Sequence, residues 1–595
     1  MESWVMAEFD LVVRGGKVID GTGTPGESGD VAVRNGLIVE RGKISGRGHR
    51  EIDADGALVI PGIVDIHAHY DGQATWEERL QPSSWHGVTT VVMGNCGVGF
   101  APVHDVDHDR LIELMEGVED IPGAALHEGL AWNWNSFSEF LNAIDTRPHD
   151  IDIAAQVPHG ALRLHVMGER GANHEDATAD DIAAMAELAR EGIKAGALGF
   201  TTSRTRNHKT SSGAYTPTLT AAPDELIGIA EGIGALGTGV LQVVSDFLDV
   251  DDEFSTLRAM VERSGRPMSI SVARNPMVPG AYREILDRIS AANADGLEMT
   301  GQVAARAVGL ILGLDLTLNP FLTNRVYRDI AHLSVGEKVR TLRDPAFRER
   351  LLTEHRSQAS ERERDKLGGS LINKFELLFE MADQPDYEPD LRDSIAARAE
   401  RQQITPEEAA LDVMLAGDGR GMLYLPFLNY VDGNLDACHE MLTHPHTVPG
   451  LGDGGAHVGT ICDGSFPTTL LHYWGRDRRR GTIALEQLVH RHCQGTARTV
   501  GLLDRGVIGP GYRADLNVVD FDNLRLYKPE IVHDLPAGGR RLLQRADGWA
   551  HTVVAGRETY QDGEATEDLP GRLIRGAQEA PGVSHSARQT QVTTL

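Results

Sequence analysis

The chain has 595 residues and a mass of 64.6 kDa, enough for several domains or for one large barrel with attachments. Its content of 41% hydrophobic and 24% charged residues is typical of a soluble globular protein, and its formal net charge of −30 argues against nucleic-acid partners. Four cysteines do not make a disulfide framework, and no apolar run approaches the roughly 18 residues of a membrane span. Because the N-terminus "MESWVMAEFDLVVRGG" also lacks the features of a signal peptide, we expect a cytoplasmic protein without membrane contact.

Both ends of the chain predict short β-strands. Residues 1–60 alternate apolar and polar side chains after the first few positions, and the segments "RGG" and "RNG" are hairpin turn signals. A similar pattern returns within residues 501–570, in "RADLNVVDFDNL" and "AHTVVAGRETYQDGEA". We therefore expect the two ends to build one small β-domain together.

The middle of the chain, residues 61–500, alternates strand-like and helical segments. Short apolar segments such as "VTTVVMGN", "GALGFTTSR" and "GVLQVVSDF" are separated by helical ones such as "ATADDIAAMAELAREGIKAG". Repeated units of this kind favour a parallel sheet, and about eight of them favour a (β/α)8 barrel. Residues 323–420 are charged and helical and predict an insertion that covers the barrel mouth. Residues 571–595 lack apolar periodicity and predict a mobile tail.

Four polar side chains lie where strands of such a barrel would end. The segment "PGIVDIHAHYD" carries His67 and His69, which project from the same face of an extended strand. Cys96 in "GNCGVGFAP" and Asp453 in "GLGDGGAHVG" each follow a strand-like segment and are flanked by glycines. Two imidazoles, a thiolate and a carboxylate are suitable zinc ligands, and a site that leaves one position for water is catalytic. The sequence therefore predicts a catalytic metal centre.

These motifs resemble the amidohydrolase superfamily and, within it, the N-acyl-D-amino-acid deacylase (D-aminoacylase-like) group. The resemblance spans nearly the whole chain and includes "PGIVDIHAHYDGQ", "GVTTVVMGNCGVGFAP", "GALGFTTSRTRNH" and "GLGDGGAHVG". It implies a metal-dependent (β/α)8 barrel with a β-sandwich built from both termini. It also implies that His67, His69 and Cys96 bind the metal, while Asp453 serves as a ligand and as the general base.

Two features of this family are missing from the sequence. The histidines expected after the fifth and sixth strands have no counterpart, because those segments contain Gln242, Ser245, Val272 and Ala273. The carboxylated lysine of hydantoinase-like relatives also has no candidate after the fourth strand. The remaining ligands are sufficient for a single ion, so we expect one divalent metal per chain, with zinc as the expected element.

Three further side chains are candidates for substrate binding. Arg204 and His208, in "SRTRNHK", follow the fourth strand, where an arginine is suited to binding a carboxylate. The alternative for both residues is a solvated loop. His457, close to Asp453, either contacts the substrate or caps the following helix.

The expected function is hydrolysis of a linear small-molecule amide, namely an N-acyl amino acid, with a water activated by the metal. Two alternatives stay open, a hydantoinase-like hydrolase of cyclic amides and a non-catalytic scaffold with the same fold. The sequence does not specify the acyl group or the D or L configuration of the substrate, and it leaves homo-oligomerisation open.

Overall fold

The computed structural model of the protein describes residues 7–358 and 371–582 and shows mixed α/β structure. The strands within these residues are β1 (Phe9–Val18), β2 (Glu27–Arg34), β3 (Leu37–Gly42), β4 (Gly48–Asp53), β5 (Leu58–Pro61), β6 (Ile63–Asp65), β7 (Val88–Met93), β8 (Asp152–Ala155), β9 (Val157–Pro158), β10 (Gly199–Arg204), β11 (Val240–Ser245), β12 (Met268–Val272), β13 (Met299–Val303), β14 (Val308–Gly313), β15 (Phe379–Glu380), β16 (Met422–Leu428), β17 (Thr447–Pro449), β18 (Leu516–Val519), β19 (Arg525–Leu526), β20 (Glu530–Leu535), β21 (Gly539–Leu543), β22 (Ala546–Asp547), β23 (Trp549–Val554), β24 (Arg557–Gln561) and β25 (Glu564–Ala565).

The α-helices of the same residues lie between these strands in the middle of the chain. They are α1 (His108–Glu119), α2 (Gly123–Gly129), α3 (Phe137–Asp145), α4 (His159–Met167), α5 (Glu169–Ala172), α6 (Ala179–Ala195), α7 (Pro223–Gly234), α8 (Val250–Ser264), α9 (Ala281–Ala294), α10 (Arg325–Arg328), α11 (Val335–Arg343), α12 (Pro345–Ser357), α13 (Ile395–Gln402), α14 (Pro406–Gly419), α15 (Asp436–Thr443), α16 (Phe466–Thr469), α17 (Leu485–His490) and α18 (Thr496–Thr499). None of these helices combines the length and the apolar character that a bilayer crossing requires.

Strands from both chain ends share one sheet, in the order β25–β24–β23–β18–β5–β1–β2–β3, with β4 paired to β1. The N-terminal and C-terminal parts meet where β18 runs antiparallel to β5, with Leu516 opposite Pro61. Apolar side chains of this sheet, among them Leu11, Val13 and Val553, form a core of their own. The two ends of the chain thus depend on each other for burial of their apolar surface.

The middle of the chain contributes two parallel sheets. One has the order β6–β7–β8 and the other the order β17–β13–β12–β11–β10–β9. β8 and β9 are halves of one bent segment joined by Gln156, and Ala68 pairs with Gly454 at the opposite edges of the two sheets. β7 is buried on both faces, as expected for a parallel strand covered by helices. The carboxyl ends of these strands therefore come together at one end of the structure.

The helices between the strands begin at local sequence signals. Thr178 and Asp181 form a capping box at the start of α6, and Pro223 occupies the first turn of α7. Apolar residues of α6 and α7, including Met185 and Ile229, belong to the same buried cluster as the parallel strands. Helix packing thus fixes the strand ends that carry the polar residues.

Residues 308–358 and 371–428 form a substructure with its own apolar core, built around Leu312, Leu351 and Leu411. Its antiparallel strands have the order β14–β16–β15, so the strands on both sides of the predicted insertion belong to it. Ile311 N donates to Thr460 O at 2.7 Å, which ties this substructure to the segment after β17. Its role as a cover of the barrel mouth stays a prediction.

The described part of the predicted tail, residues 571–582, runs along the parallel strands. Ile574 N donates to Ile153 O at 2.7 Å, and Leu573 and Ile574 are buried. Two apolar side chains thus anchor a segment that has no periodic pattern, and the mobility of the tail stays a prediction. Residues 583–595 lie outside the described residues.

Candidate metal centre

Three side chains that can bind a metal converge at the ends of β6 and β7. His67 and His69 follow β6, Cys96 lies in the turn after β7, and one donor atom of each lies within 4.8 Å of the others. His67 Nε2 is 3.3 Å from Cys96 Sγ. All three side chains are buried. The end of β6 is shaped locally by Asp65, whose Oδ1 accepts a hydrogen bond from His67 N at 3.0 Å.

Asp453 joins these residues from the segment after β17. Its Oδ1 lies 3.4 Å from His67 Nε2 and 3.7 Å from His69 Nε2. Asp453 N donates to His67 O at 2.9 Å, and His69 N donates to Gly454 O at 2.7 Å, so backbone pairing holds the carboxylate against the imidazoles. The Asp453 side chain is 18% exposed and those of both histidines are 1% exposed. Asp453 therefore lies on the open side of the metal-ligand cluster, by which we mean His67, His69, Cys96 and Asp453.

Unusual backbone conformations occur at this cluster. Cys96, Asp453 and His457 have φ angles of 55°, 44° and 50°, in the left-handed region that residues with a Cβ rarely adopt. Such conformations cost on the order of 1–3 kcal/mol each and concentrate at functional sites. Gly455 is required for a different reason, because a Cβ there would meet His69 O at 2.9 Å. The backbone thus places these side chains against its own conformational preference.

A hydrogen bond on the far side of the His67 ring orients its ligand atom. His67 Nδ1 lies 3.0 Å from Gln302 Oε1, and Gln302 Nε2 donates to Ser269 Oγ at 2.8 Å. Because the amide nitrogen is used by Ser269, the amide oxygen accepts from His67 Nδ1–H. The lone pair of His67 therefore lies on Nε2, the atom that faces Cys96 and Asp453.

Glu119, the last residue of α1, lies on the far side of His69. Its Oε1 is 3.2 Å from His69 Nδ1, and its Oε2 is 3.6 Å from His457 Nε2. The Glu119 side chain is buried, and burial together with the charge of Asp453 raises the pKa of its carboxyl group. Glu119 was not predicted as a site residue, because it ends an ordinary amphipathic helix and belongs to no motif.

Burial and neighbouring charges set the ionisation of the metal-ligand cluster. Burial lowers the pKa values of His67 and His69, so both imidazoles are neutral near pH 7, the form that binds metals. Burial opposes ionisation of Asp453, but the neighbouring imidazoles, with His69 first, outweigh it and hold the pKa of Asp453 well below its usual range. Burial, reinforced by nearby carboxylates, raises the pKa of the Cys96 thiol. A bound cation would favour the thiolate instead.

Two of the three predicted substrate-binding residues lie near this cluster. His208 Nδ1 is 2.9 Å from Ser203 Oγ, and burial together with nearby imidazoles lowers the pKa of His208 to about 3. His457 is the residue that faces Glu119. Arg204 instead forms an ion pair with Glu253, in which Nε lies 2.8 Å from Oε1. Its guanidinium is therefore engaged by α8, a partner that the sequence did not reveal, rather than directed at the cluster.

Strands β11 and β12, which correspond to the fifth and sixth strands of the expected barrel, present amide and hydroxyl groups to the interior. Gln242 of β11 is in register with Thr201 of β10 and Ser269 of β12. Thr201 Oγ1 accepts a hydrogen bond from Gly97 N at 3.2 Å, which places this row beneath the turn of Cys96. Both polar atoms of the Gln242 side chain are buried without a hydrogen-bond partner within the described part of the chain. Amides and hydroxyls are weak zinc ligands, so this row is a poor substitute for the family's two imidazoles.

Parallel strands that direct imidazole, thiol and carboxylate side chains to their shared carboxyl end are typical of metal-dependent hydrolases with an α/β fold. Comparison with known sequences specifies the family. The model of the family described as "Amidohydrolase family" matches residues 50–560, and the chain belongs to this family. It is accordingly an enzyme, a metal-dependent hydrolase of amide bonds.

Relatives of known activity share the whole length of the chain. D-aminoacylase of Alcaligenes xylosoxydans xylosoxydans is 28% identical over 580 residues, which cover 95% of this chain and 97% of that enzyme. A solved D-aminoacylase, studied for the functional role of its binuclear metal centre, superposes with a TM-score of 0.63 at 24% identity over 95% of this chain and 100% of that one. N-acyl-D-glutamate deacylase from Bordetella bronchiseptica, solved with zinc and a phosphonate inhibitor, superposes with a TM-score of 0.60 at 23% identity. The match covers 95% of this chain and 99% of that one. The chain thus falls within the D-aminoacylase-like group of the superfamily.

Proposed function

We propose that the protein hydrolyses the amide bond of a small-molecule N-acyl amino acid, in the manner of a D-aminoacylase, with one bound zinc ion. The observation that carries this proposal is the convergence of two neutral imidazoles, a thiol and an ionised carboxylate at one end of the parallel strands. The similarity to D-aminoacylase over the whole chain supports the substrate class. We also infer that the two parallel sheets close into a (β/α)8 barrel, which the pairing of Ala68 with Gly454 supports.

The donor set fits a divalent ion. His67 Nε2, His69 Nε2, Asp453 Oδ1 and Cys96 Sγ would hold it, and a catalytic zinc takes about three protein ligands with one exchangeable position. His69 Nε2 and Asp453 Oδ1 are buried and have no hydrogen-bond partner among the described residues, as expected for atoms that bind an ion. When bound, a zinc ion polarises a carbonyl oxygen and makes water more acidic.

Asp453 is suited to move the proton of the reaction. Its carboxylate is ionised at neutral pH, because the neighbouring imidazoles hold its pKa low, and it lies on the open side of the cluster. It accepts a proton from the attacking water and then gives that proton to the nitrogen of the departing amine. This transfer makes the amine a neutral leaving group, which amide hydrolysis at neutral pH requires.

His208 and His457 are suited to hold the substrate at the opening. Burial lowers the pKa of both imidazoles, so each is neutral and can donate one hydrogen bond. The contact of His208 Nδ1 with Ser203 Oγ fixes one side of that ring and leaves Nε2 for an acceptor on the substrate. The carbonyl oxygen or the carboxylate of an N-acyl amino acid supplies such an acceptor.

The two alternatives make different predictions. A hydantoinase-like activity would require two metal ions bridged by a carboxylated lysine after the fourth barrel strand. That strand is β10, and it contains no lysine. Membership of the amidohydrolase family and the convergence of His67, His69 and Cys96 argue against a non-catalytic scaffold.

The test is a substrate panel on zinc-loaded enzyme, with N-acyl-D-amino acids, N-acyl-L-amino acids and cyclic hydantoins assayed in parallel. The proposal expects amine release from N-acyl amino acids and none from enzyme treated with a strong chelator. Restoration of activity by added zinc is the control for irreversible damage. Turnover of the hydantoins alone would contradict the proposal.

A further inference from the structure

Glu119 is a buried carboxylate to which the proposed reaction gives no role. His69 Nδ1 lies 3.2 Å from Glu119 Oε1, and His69 Nε2 lies 3.7 Å from Asp453 Oδ1. The two nitrogen atoms of one imidazole therefore face two different carboxylates. One of these carboxylates belongs to the metal-ligand cluster, and the other lies behind the ring.

The polar atoms of this contact make no hydrogen bond within the described part of the chain. Both ring nitrogens of His69 and both carboxylate oxygens of Glu119 are buried without a hydrogen-bond partner among the described residues. The 3.2 Å contact has the length of a hydrogen bond but not its alignment. An unpaired buried donor facing an unpaired buried acceptor is costly, so a small rotation of the ring that aligns Nδ1–H with Oε1 is favourable.

His67 shows what such a contact does in the same site. Its Nδ1–H donates to Gln302 Oε1 at 3.0 Å, and this hydrogen bond leaves the lone pair on the nitrogen that faces the cluster. Glu119 has the equivalent position behind His69, with a carboxyl oxygen 3.2 Å from Nδ1 in place of an amide oxygen. A carboxylate behind a metal-binding imidazole fixes the tautomer and makes the ring a stronger donor.

The backbone fixes the position of Glu119. His457 N donates to the backbone oxygen of Glu119, and Thr317 Oγ1 donates to Asp120 Oδ1 at 3.0 Å. The end of α1 is thereby joined both to the segment that carries Asp453 and to the loop after β14 that carries Thr317. The Oε2 atom of Glu119, 3.6 Å from His457 Nε2, faces a second imidazole of the site.

We infer that Glu119 is a positioning residue of the metal centre, which accepts the Nδ1–H hydrogen bond of His69 and directs the lone pair of His69 Nε2 at the ion. The inference rests on the proposed metal-dependent function. It assigns to Glu119 no contact with the ion and no contact with the substrate.

The experiment measures zinc affinity by competition with a chromogenic chelator in the wild type and in three full-length variants. Glu119→Leu removes the acceptor and keeps much of the volume, and Glu119→Gln keeps a neutral oxygen acceptor. Asp120→Asn is the matched control, since it removes a carboxylate from the same helix end and Asn tolerates the φ angle of 52° at this position. The visible spectrum of the cobalt-substituted proteins reports the coordination geometry independently of turnover.

We expect Glu119→Leu to raise the Kd for zinc by about 10–100-fold, the range typical of residues that orient a metal ligand. Glu119→Gln should fall between this variant and the wild type, and Asp120→Asn should match the wild type in Kd and cobalt spectrum. If Glu119→Leu does not fold, the zinc affinities of Glu119→Gln and Asp120→Asn are compared instead, and a higher Kd in Glu119→Gln alone supports the inference.

Three results would overturn the inference. The first is wild-type zinc affinity and a wild-type cobalt spectrum in both Glu119 variants, or in Glu119→Gln if only that variant folds. This result would show that Glu119 does not orient the His69 ring toward the ion. Equal weakening in Asp120→Asn and the Glu119 variants would assign the effect to loss of negative charge at the helix end. A wild type that binds no zinc would overturn the proposed function together with this inference. The other two results would overturn this inference and leave the proposed function standing.

Discussion

Two sides of the same strand ends differ in their chemistry. On the side of β6, β7 and β17 lie His67, His69, Cys96 and Asp453. The distance is 3.3 Å from His67 Nε2 to Cys96 Sγ, and Asp453 Oδ1 lies 3.4 Å and 3.7 Å from the Nε2 atoms of His67 and His69. On the side of β11 and β12, the corresponding inward positions carry an amide and a hydroxyl. In the proposed barrel, the candidate metal ligands therefore lie on one half, while these positions on the other half carry weak metal donors.

The two sides also differ in the hydrogen-bond partners of their polar side chains. Gln302 orients His67, and Glu119 faces His69, so each imidazole of the first side has an acceptor behind it. Gln242 on the other side has no hydrogen-bond partner in residues 7–358 and 371–582. This contrast supports the proposal of a single ion in the metal-ligand cluster.

The largest expected effect concerns the carboxylate of the ligand-bearing side. Asp453→Asn removes the proton acceptor but retains the shape of the side chain, so we expect kcat to fall by about 10²–10⁴-fold. Most of the metal should stay bound, because the amide oxygen and the other ligands remain. Steady-state kinetics on the substrate identified by the panel, together with metal analysis of the same sample, measures both quantities. Near-normal turnover would remove Asp453 from the mechanism.

A smaller effect is expected at the thiol. Cys96→Ala deletes one donor and leaves two imidazoles and a carboxylate, so zinc should still bind, with a Kd raised by more than the roughly 10–100-fold typical of residues that only orient a ligand. Chelator competition measures the change. Unaltered zinc affinity would show that Cys96 is a buried thiol without a ligand role, and would reduce the ligand-bearing side to three donors.

The smallest expected effect lies on the other side. Gln242→Leu replaces a buried amide that lacks partners by an apolar side chain of similar size, so we expect the free energy of unfolding to change little or to rise by about 1 kcal/mol. The zinc content should match the wild type. Urea denaturation and metal analysis test these two expectations. Loss of zinc in this variant would place Gln242 in the metal centre and break the comparison between the two sides.

Much of the ligand-bearing side could be predicted from the sequence, because strand ends, glycine-flanked turns and the spacing of His67 and His69 are local features. The match to residues 50–560 confirms the predicted family. Glu119 and Gln302 could not be predicted, since a helix end and an inward strand position acquire their roles only through tertiary packing. Arg204 shows the converse, because its position after β10 suggested a substrate contact but the folded chain pairs it with Glu253.

The number of metal ions per chain tests the central claim most directly. The measurement is elemental analysis of the wild type and of His67→Ala after dialysis against a weak chelator. We expect close to one equivalent of zinc per chain in the wild type and almost none in the variant, because His67 supplies one of the few strong donors. Two equivalents surviving dialysis in the wild type would contradict it and would show that the side lined by Gln242 and Ser269 also holds an ion.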